Sequence, residues 1–157
     1  MKYARLTKEQ FEELHQEFIN FLATQSITAD EWEDIKINKP QTAEEELDVF
    51  SDLVWEGVLN QARFLEHFSP QQIYLFKITE TAIYLIAIKV ENQNVDVTTR
   101  AGYDWLQQNL MDDSVSLYTS SKAISDDRNK DIFALIQQGA VITKGELYGF
   151  FEKHLEV

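Results

Sequence analysis

The sequence predicts an α+β protein: an N-terminal helical layer of three helices, a small and mainly antiparallel sheet, and further helices at the C-terminus. Two observations support this prediction. The first 68 residues show helical apolar spacing behind three helix-start signals. After Ser69 and Pro70 the periodicity changes, and two segments rich in β-branched and aromatic residues predict a central hairpin.

The three N-terminal helices are predicted over residues 8–24, 29–38 and 43–67. Each begins with a capping-box spacing, in which a Thr hydroxyl accepts from the backbone N–H three residues on. The three boxes pair Thr7 with Gln10, Thr28 with Glu31, and Thr42 with Glu45. The buried seam of the third helix is predicted to consist of Leu47, Phe50, Val54, Val58, Ala62 and Leu65, flanked by Leu53 and Phe64.

The C-terminal part is predicted to be built on the hairpin of strands 72–79 and 82–90. Both strands are apolar on both faces, so we expect the sheet to be covered on both sides. A helix at 98–110, a strand at 114–119 and a helix at 126–138 should follow, with Gly139 as a left-handed stop. A fourth capping box, Thr143 with Glu146, predicts a last helix that reaches Leu155.

Length and composition favour a single domain, 1–157, with possible subdomains 1–68 and 69–157. The chain has no cysteine, which excludes disulfides, thiolate zinc sites and thiol nucleophiles. The N-terminus lacks the apolar core of a signal peptide, and the longest apolar run, Ala82–Ile88, is far shorter than a bilayer span. We therefore expect a cytoplasmic protein with no membrane contact.

Negative charge is concentrated in residues 28–56, which hold ten carboxylates against two lysines and account for −8 of the chain's net −13. A chain of this charge is repelled by phosphate backbones, and no local basic patch offsets the repulsion. The hairpin carries Tyr74, Phe76 and Tyr84 with two lysines, yet it lacks the signature of an RNA-binding sheet. We expect no direct nucleic-acid binding.

The chain also resembles a known family. The segments that carry the resemblance are KYARLTKEQFEELHQEFINFLATQSITADEW, EEELDVFSDLVWEGVLN and the downstream IFALIQQGA and GELY. They are similar to a family of small acidic proteins of the Bacteroidetes group that is described as a domain of unknown function. The resemblance implies a bacterial, cytosolic protein and supplies no catalytic residues.

One candidate binding surface lies on the third predicted helix. Glu44, Asp48, Asp52 and Glu56 are spaced four apart, so they form a slanting acidic stripe. Trp55 and Leu59 are predicted to project within the same sector. An aromatic anchor with a charged rim is typical of protein interfaces. The acidic spacing by itself is more typical of the solvated face of an amphipathic helix.

A metal site is the second candidate. Glu12 and His15 have the i, i+3 spacing found in carboxylate-bridged di-iron bundles, but such bundles need that motif twice and this chain supplies it once. His15 also falls within the apolar stripe of the first helix, so a core or boundary histidine is the competing interpretation. No Gly-x-Ser-x-Gly elbow and no glycine cluster for phosphate is present, and no cofactor is predicted.

These observations favour a non-enzymatic binding or adaptor protein that presents an acidic, Trp-bearing helical face to a basic protein partner. Charge would steer the partner, and the aromatic anchor would hold it. The alternative is a metal-assisted enzyme that uses helix carboxylates and His15. The oligomeric state is left open.

Overall fold

The protein has the predicted α+β architecture. The computed structural model describes residues 1–155, which form seven helices and a five-stranded antiparallel sheet. The chain divides into two compact units, Met1–Asn60 (unit 1) and Gln61–Val157 (unit 2). In the described range, no helix is both long and apolar enough to cross a membrane.

Unit 1 is built from four helices, because the first predicted helix is interrupted. The helices are α1 (Lys8–Glu13), α2 (His15–Thr24), α3 (Ala29–Asn38) and α4 (Pro40–Gln61). Leu14 ends α1 and precedes α2, with backbone angles of φ −99° and ψ 22° that lie outside the α-helical region. The prediction of one continuous helix over 8–24 is therefore wrong.

Helix starts follow the predicted capping boxes at two of the three N-terminal sites. Thr7 and Thr28 each accept from the backbone N–H three residues on, and the side chains of Gln10 and Glu31 reach back to the cap. The third box, at Thr42, does not start a helix. Instead α4 begins at Pro40, whose fixed φ and missing N–H suit the first helical position.

Aromatic rings fill the core of unit 1. Phe18 meets Phe50 at a centroid distance of 5.0 Å and Trp32 at 5.2 Å, both edge to face, with Leu6 and Leu22 buried in the same cluster. Edge-to-face contacts of this kind add to the energy gained from burial. The predicted seam of α4 is correct at Phe50.

Farther along α4 the predicted seam fails. Val58 is 44% exposed and Leu53 is 57% exposed. The helix also ends at Gln61, six residues before the predicted end. Leu65 is buried, as expected, but as part of a strand. The apolar residues of that strand happen to continue the helical phase of α4, which is why the helix prediction ran too far.

Unit 2 contains the whole sheet and three helices. Its elements are β1 (Phe64–Ser69), β2 (Gln72–Ile78), β3 (Ala82–Val90), α5 (Arg100–Gln108), β4 (Val115–Ala123), α6 (Arg128–Gln137), β5 (Val141–Thr143) and α7 (Glu146–Leu155). The strand order is β4-β3-β2-β1-β5, and every pair is antiparallel. The central hairpin of β2 and β3 is confirmed, whereas β1 and the edge strand β5 were not predicted.

Two local predictions near the C-terminus have different outcomes. Gly139 follows α6 with a positive φ of 114°, so the predicted left-handed stop is confirmed. Thr143 does not cap a helix. It is the last residue of β5, and its hydroxyl accepts from the N–H of Gly145 and not from that of Glu146.

Helices α5 and α7 share a core with one face of the sheet, which we call the helix-bearing face. That core joins Leu75 and Ile86 of the central strands to Leu106 of α5 and Phe151 of α7. Glu66 of β1 pairs with Leu75 across the sheet, so the carboxylate rises from this same face.

The aromatic residues of the hairpin do not form one platform. Tyr84 pairs with Lys77 and lies on the helix-bearing face, whereas Tyr74 and Phe76 alternate to the opposite face. The set considered as an RNA-binding surface is therefore split between the two sides of the sheet.

Candidate functional site

The acidic stripe of α4 is occupied by the N-terminal segment of the same chain. Asp52 accepts hydrogen bonds from the backbone N–H groups of Lys2, at 2.7 Å, and Tyr3, at 2.9 Å. Asp48 accepts from Nε of Arg5 at 2.6 Å. Three residues of the irregular segment before α1 thus follow the stripe and bind its carboxylates.

The two ends of the stripe are bound in the same way. Glu44 pairs with the Arg5 guanidinium at 2.8 Å. Glu56 accepts from the Tyr3 hydroxyl at 2.5 Å and lies 3.7 Å from Nζ of Lys2. All four predicted acids therefore have partners within unit 1.

These contacts contribute to raised pKa values at Tyr3 and Arg5 of the N-terminal segment. The Asp48 carboxylate, followed by Glu44, raises the pKa of Arg5 above its usual value, because both favour the charged guanidinium. Burial is the largest cause of the raised pKa of Tyr3, with the Glu56 hydrogen bond second. Arg5 is therefore a permanent cation at the stripe, and Tyr3 is a neutral donor.

The two predicted apolar anchors do not stand on an open surface. Leu59 is fully buried, so the prediction that it projects outward with the acids is wrong. Trp55 is half-buried, packs against the aromatic core of unit 1, and has a buried indole nitrogen. Trp55 lies near the inner edge of the stripe on the helix, and core packing decided its side.

The two residues of the metal-site candidate do not lie on one continuous helix. Glu12 belongs to α1 and His15 to α2, with the break at Leu14 between them. His15 is exposed, which also corrects the interpretation of it as a core or boundary residue. Within residues 1–155, no group of three or more His, Asp or Glu side chains is arranged to hold a metal ion.

A different part of α4 is open. Val49 is 51% exposed and Leu53 is 57% exposed, about 40° apart around the helix axis. Glu45 lies about 40° to one side of Val49 and Glu46 about 60° to the other. We call these four residues the α4 ridge. It has an apolar centre and an acidic rim, but none of its residues is among those that the sequence analysis named for the candidate binding surface.

Unit 2 contains a cavity of about 600 Å³ on the helix-bearing face, which we call the Glu66 cavity. Strand β1 contributes Glu66 and Phe68, and α5 contributes Tyr103 and Gln107. The loop and helix after β5 complete the lining with Lys144, Glu146, Leu147 and Phe150, next to Thr143. The volume is within the usual range of small-molecule sites.

Electrostatics single out one carboxylate in this cavity. Burial raises the pKa of Glu66, because desolvation disfavours its charged form. Burial also raises the pKa of Tyr103, and the nearby Glu66 charge raises it further. Among residues 1–155, no hydrogen bond or ion pair engages the Glu66 side chain.

Sequence reasoning missed this cavity because it placed Glu66 in a helix. With a period of 3.6, Glu66 is separated from Phe68 around the helix, whereas in a strand residues i and i+2 share a face. The remaining walls come from residues about 40 and 80 positions later. The β-branched segment Val141–Thr143 was the only local signal of the neighbouring strand.

The comparisons with known proteins identify a family and no activity. A family model described as "Family of unknown function (DUF6495)" matches residues 1–156. No curated protein and no solved structure matches the chain.

Proposed function

Because the chain belongs to this family of unknown function, whose description assigns no activity, we propose a function from the geometry of unit 1. The protein is a non-enzymatic binding or adaptor protein of the bacterial cytosol, and unit 1 docks a basic protein partner. The observation that carries the proposal is the α4 ridge, an exposed Val49 and Leu53 pair between Glu45 and Glu46.

Charge supports the choice of a basic partner. Met1–Asn60 holds fourteen carboxylates against five lysines and arginines, which gives −9 of the chain's −13. Long-range attraction from such a surface speeds association with a cation-rich partner and rejects acidic ones. This net value already counts Lys2 and Arg5, which pair with Glu44, Asp48 and Glu56 of the stripe.

Exposure of the two apolar side chains supports anchoring at the ridge, because docking of a partner would bury them. Exposed valine and leucine on a helix, rimmed by charge, form the apolar centre that protein interfaces exclude from water. Trp55 packs against the aromatic core of unit 1 and so helps to hold α4 in place. In this proposal Trp55 positions the helix, and Asp48 and Asp52 hold the N-terminal segment.

The test is affinity capture from the native cytosol at low and at high salt. A double variant, Val49→Ser with Leu53→Ser, removes the apolar centre of the ridge. We expect it to lose a protein that the wild type captures, while its thermal unfolding stays within a few degrees of the wild type. Ile37→Ser is the matched control, because Ile37 is an apolar residue on α3 that is 76% exposed. Equal capture by the wild type and the double variant would contradict the proposal.

Electrostatic steering is tested separately. Glu45→Lys with Glu46→Lys reverses two charges on the ridge, and Glu12→Lys with Glu13→Lys makes the same net change on α1. We expect the ridge pair to slow association of the captured partner far more than the α1 pair, and the difference to shrink at high salt. Equal slowing by both pairs would mean that net charge acts without a local site.

A further inference from the structure

The Glu66 cavity is lined by residues of unit 2, whereas the α4 ridge belongs to unit 1. Its central feature is a carboxylate that folding partly removes from water without supplying a counter-ion. Burial raises the pKa of Glu66, and no cationic side chain in residues 1–155 lies within ion-pair distance of it. A desolvated charge without a partner is unfavourable in a folded protein, so a ligand that neutralises it gains binding energy.

Aromatic rings surround the same space. Phe68 shares a sheet face with Glu66, and its ring centroid is 6.3 Å from that of Tyr103. Phe150 of α7 also lines the cavity and is 49% exposed. The faces of aromatic rings attract cations through their quadrupole, and the rings also pack against alkyl groups.

The charges of the lining favour a cation over an anion. Glu66 and Glu146 face the cavity with one opposing cation, Lys144. Lys144 belongs to the loop between β5 and α7. The net negative charge of the lining would repel a free carboxylate or phosphate, whereas an ammonium group would neutralise it.

We propose that the Glu66 cavity binds an organic ammonium cation, with the charged group against Glu66 and the apolar part among the aromatic rings. The ammonium donates hydrogen bonds to the carboxylate. The alkyl portion displaces water from Phe68, Leu147 and Phe150. The Tyr103 hydroxyl, to which Gln107 Nε2 lies at 3.4 Å, supplies a neutral oxygen on the α5 side.

The test compares three probes of one length, n-hexylammonium, 1-hexanol and hexanoate, by calorimetry and by NMR amide shifts of the full chain. We expect hexylammonium to bind about tenfold or more tightly than hexanol, because the ammonium–carboxylate hydrogen bond is charge-assisted. The shifted amides should include Glu66, Phe68 and Thr143. We expect no binding of hexanoate.

Two variants test the role of charge. Glu66→Gln should abolish the preference for hexylammonium over hexanol, whereas the exposed Glu91→Gln, with the same change in net charge, should retain it. Lys144→Gln should tighten hexylammonium binding by removing a like charge, and the exposed Lys153→Gln should not.

Three results would overturn the proposal. The first is a preference for hexanoate, which would make Lys144 the anchor of an anion site. The second is an unchanged preference for hexylammonium in Glu66→Gln. The third is the absence of shifts at the cavity amides of the wild type with millimolar hexylammonium. The same spectra check that Glu66→Gln and Lys144→Gln remain folded.

Discussion

Arg5 donates from Nε to Oδ1 of Asp48 at 2.6 Å, which ties the N-terminal segment to a helix more than forty residues away in sequence. The same guanidinium reaches Glu44 at 2.8 Å. This one side chain neutralises two of the four acids that the sequence places in a stripe on α4. The stripe is therefore an internal contact surface of unit 1.

We expect Arg5→Gln to lower the free energy of unfolding by about 1 kcal/mol, since both partners of the pair are two-thirds buried and share a charge-assisted bond. The loss should shrink as salt screens the pair. Urea denaturation followed by circular dichroism measures both effects. The control is Arg100→Gln, because the Arg100 side chain is 95% exposed and its contact with Asp104 is 4.0 Å long. Equal losses in the two variants would show that the Asp48 contact contributes nothing specific.

Trp55→Ala should destabilise the protein by about 2 kcal/mol, because it opens a gap beside the aromatic core of unit 1. This outcome differs from the role of outward-facing partner anchor that the sequence analysis assigned to Trp55. Urea denaturation measures the loss, with Ile37→Ala as the control for removing an exposed apolar side chain. A Trp55→Ala protein as stable as the control would return Trp55 to the list of surface anchors.

Gly102→Ala should cost at least about 2 kcal/mol of unfolding free energy, because an added Cβ would lie 1.8 Å from the backbone oxygen of Asp96. Backbone cannot move aside as a flexible side chain can. Gly149→Ala is the matched change inside α7, where an added Cβ meets nothing within 4 Å. It should stabilise the protein by about 0.5–1 kcal/mol through helix propensity. Thermal unfolding of the two variants should therefore shift in opposite directions, and shifts of the same sign would contradict this account.

Glu66→Gln should stabilise the protein at neutral pH by up to about 1 kcal/mol, because the neutral amide avoids desolvating a charge. Burial raises the pKa of Glu66 in the folded state, so the folded protein holds this proton to higher pH than the unfolded chain does. The wild type therefore loses stability as pH rises from the ordinary Glu pKa through the raised one. The advantage of Glu66→Gln should vanish at a pH below both values.

Urea denaturation of Glu66→Gln and wild type at several pH values between 3 and 8 measures this dependence. Tyr103, Lys144 and Glu146 line the same cavity and are unchanged in both proteins. A difference that is constant across the range would assign the effect to packing and not to charge.

The sequence predicted best where a signal is local, although the capping-box spacings at Thr42 and Thr143 do not start helices. The capping boxes at Thr7 and Thr28 and the stop at Gly139 each involve residues within four positions, and the structure has all three. The hairpin of β2 and β3 was predicted equally well, since its strands are adjacent and rich in β-branched residues. The sequence-based prediction failed at Leu65, where one apolar pattern fits both the end of a helix and a strand.

Sequence alone determined the α+β class, the helical character of the first sixty residues and the concentration of charge there, because each follows from short-range pattern or from counting. Tertiary structure decided which charges and apolar groups remain available. Tyr3 and Arg5 bind acids that are 39 to 53 positions away, and Glu66 lines a cavity with Tyr103 only after β1 joins the sheet. Counting charges cannot reveal such pairing, because the energy of a contact depends on distance and desolvation in the folded chain and not on position in the sequence.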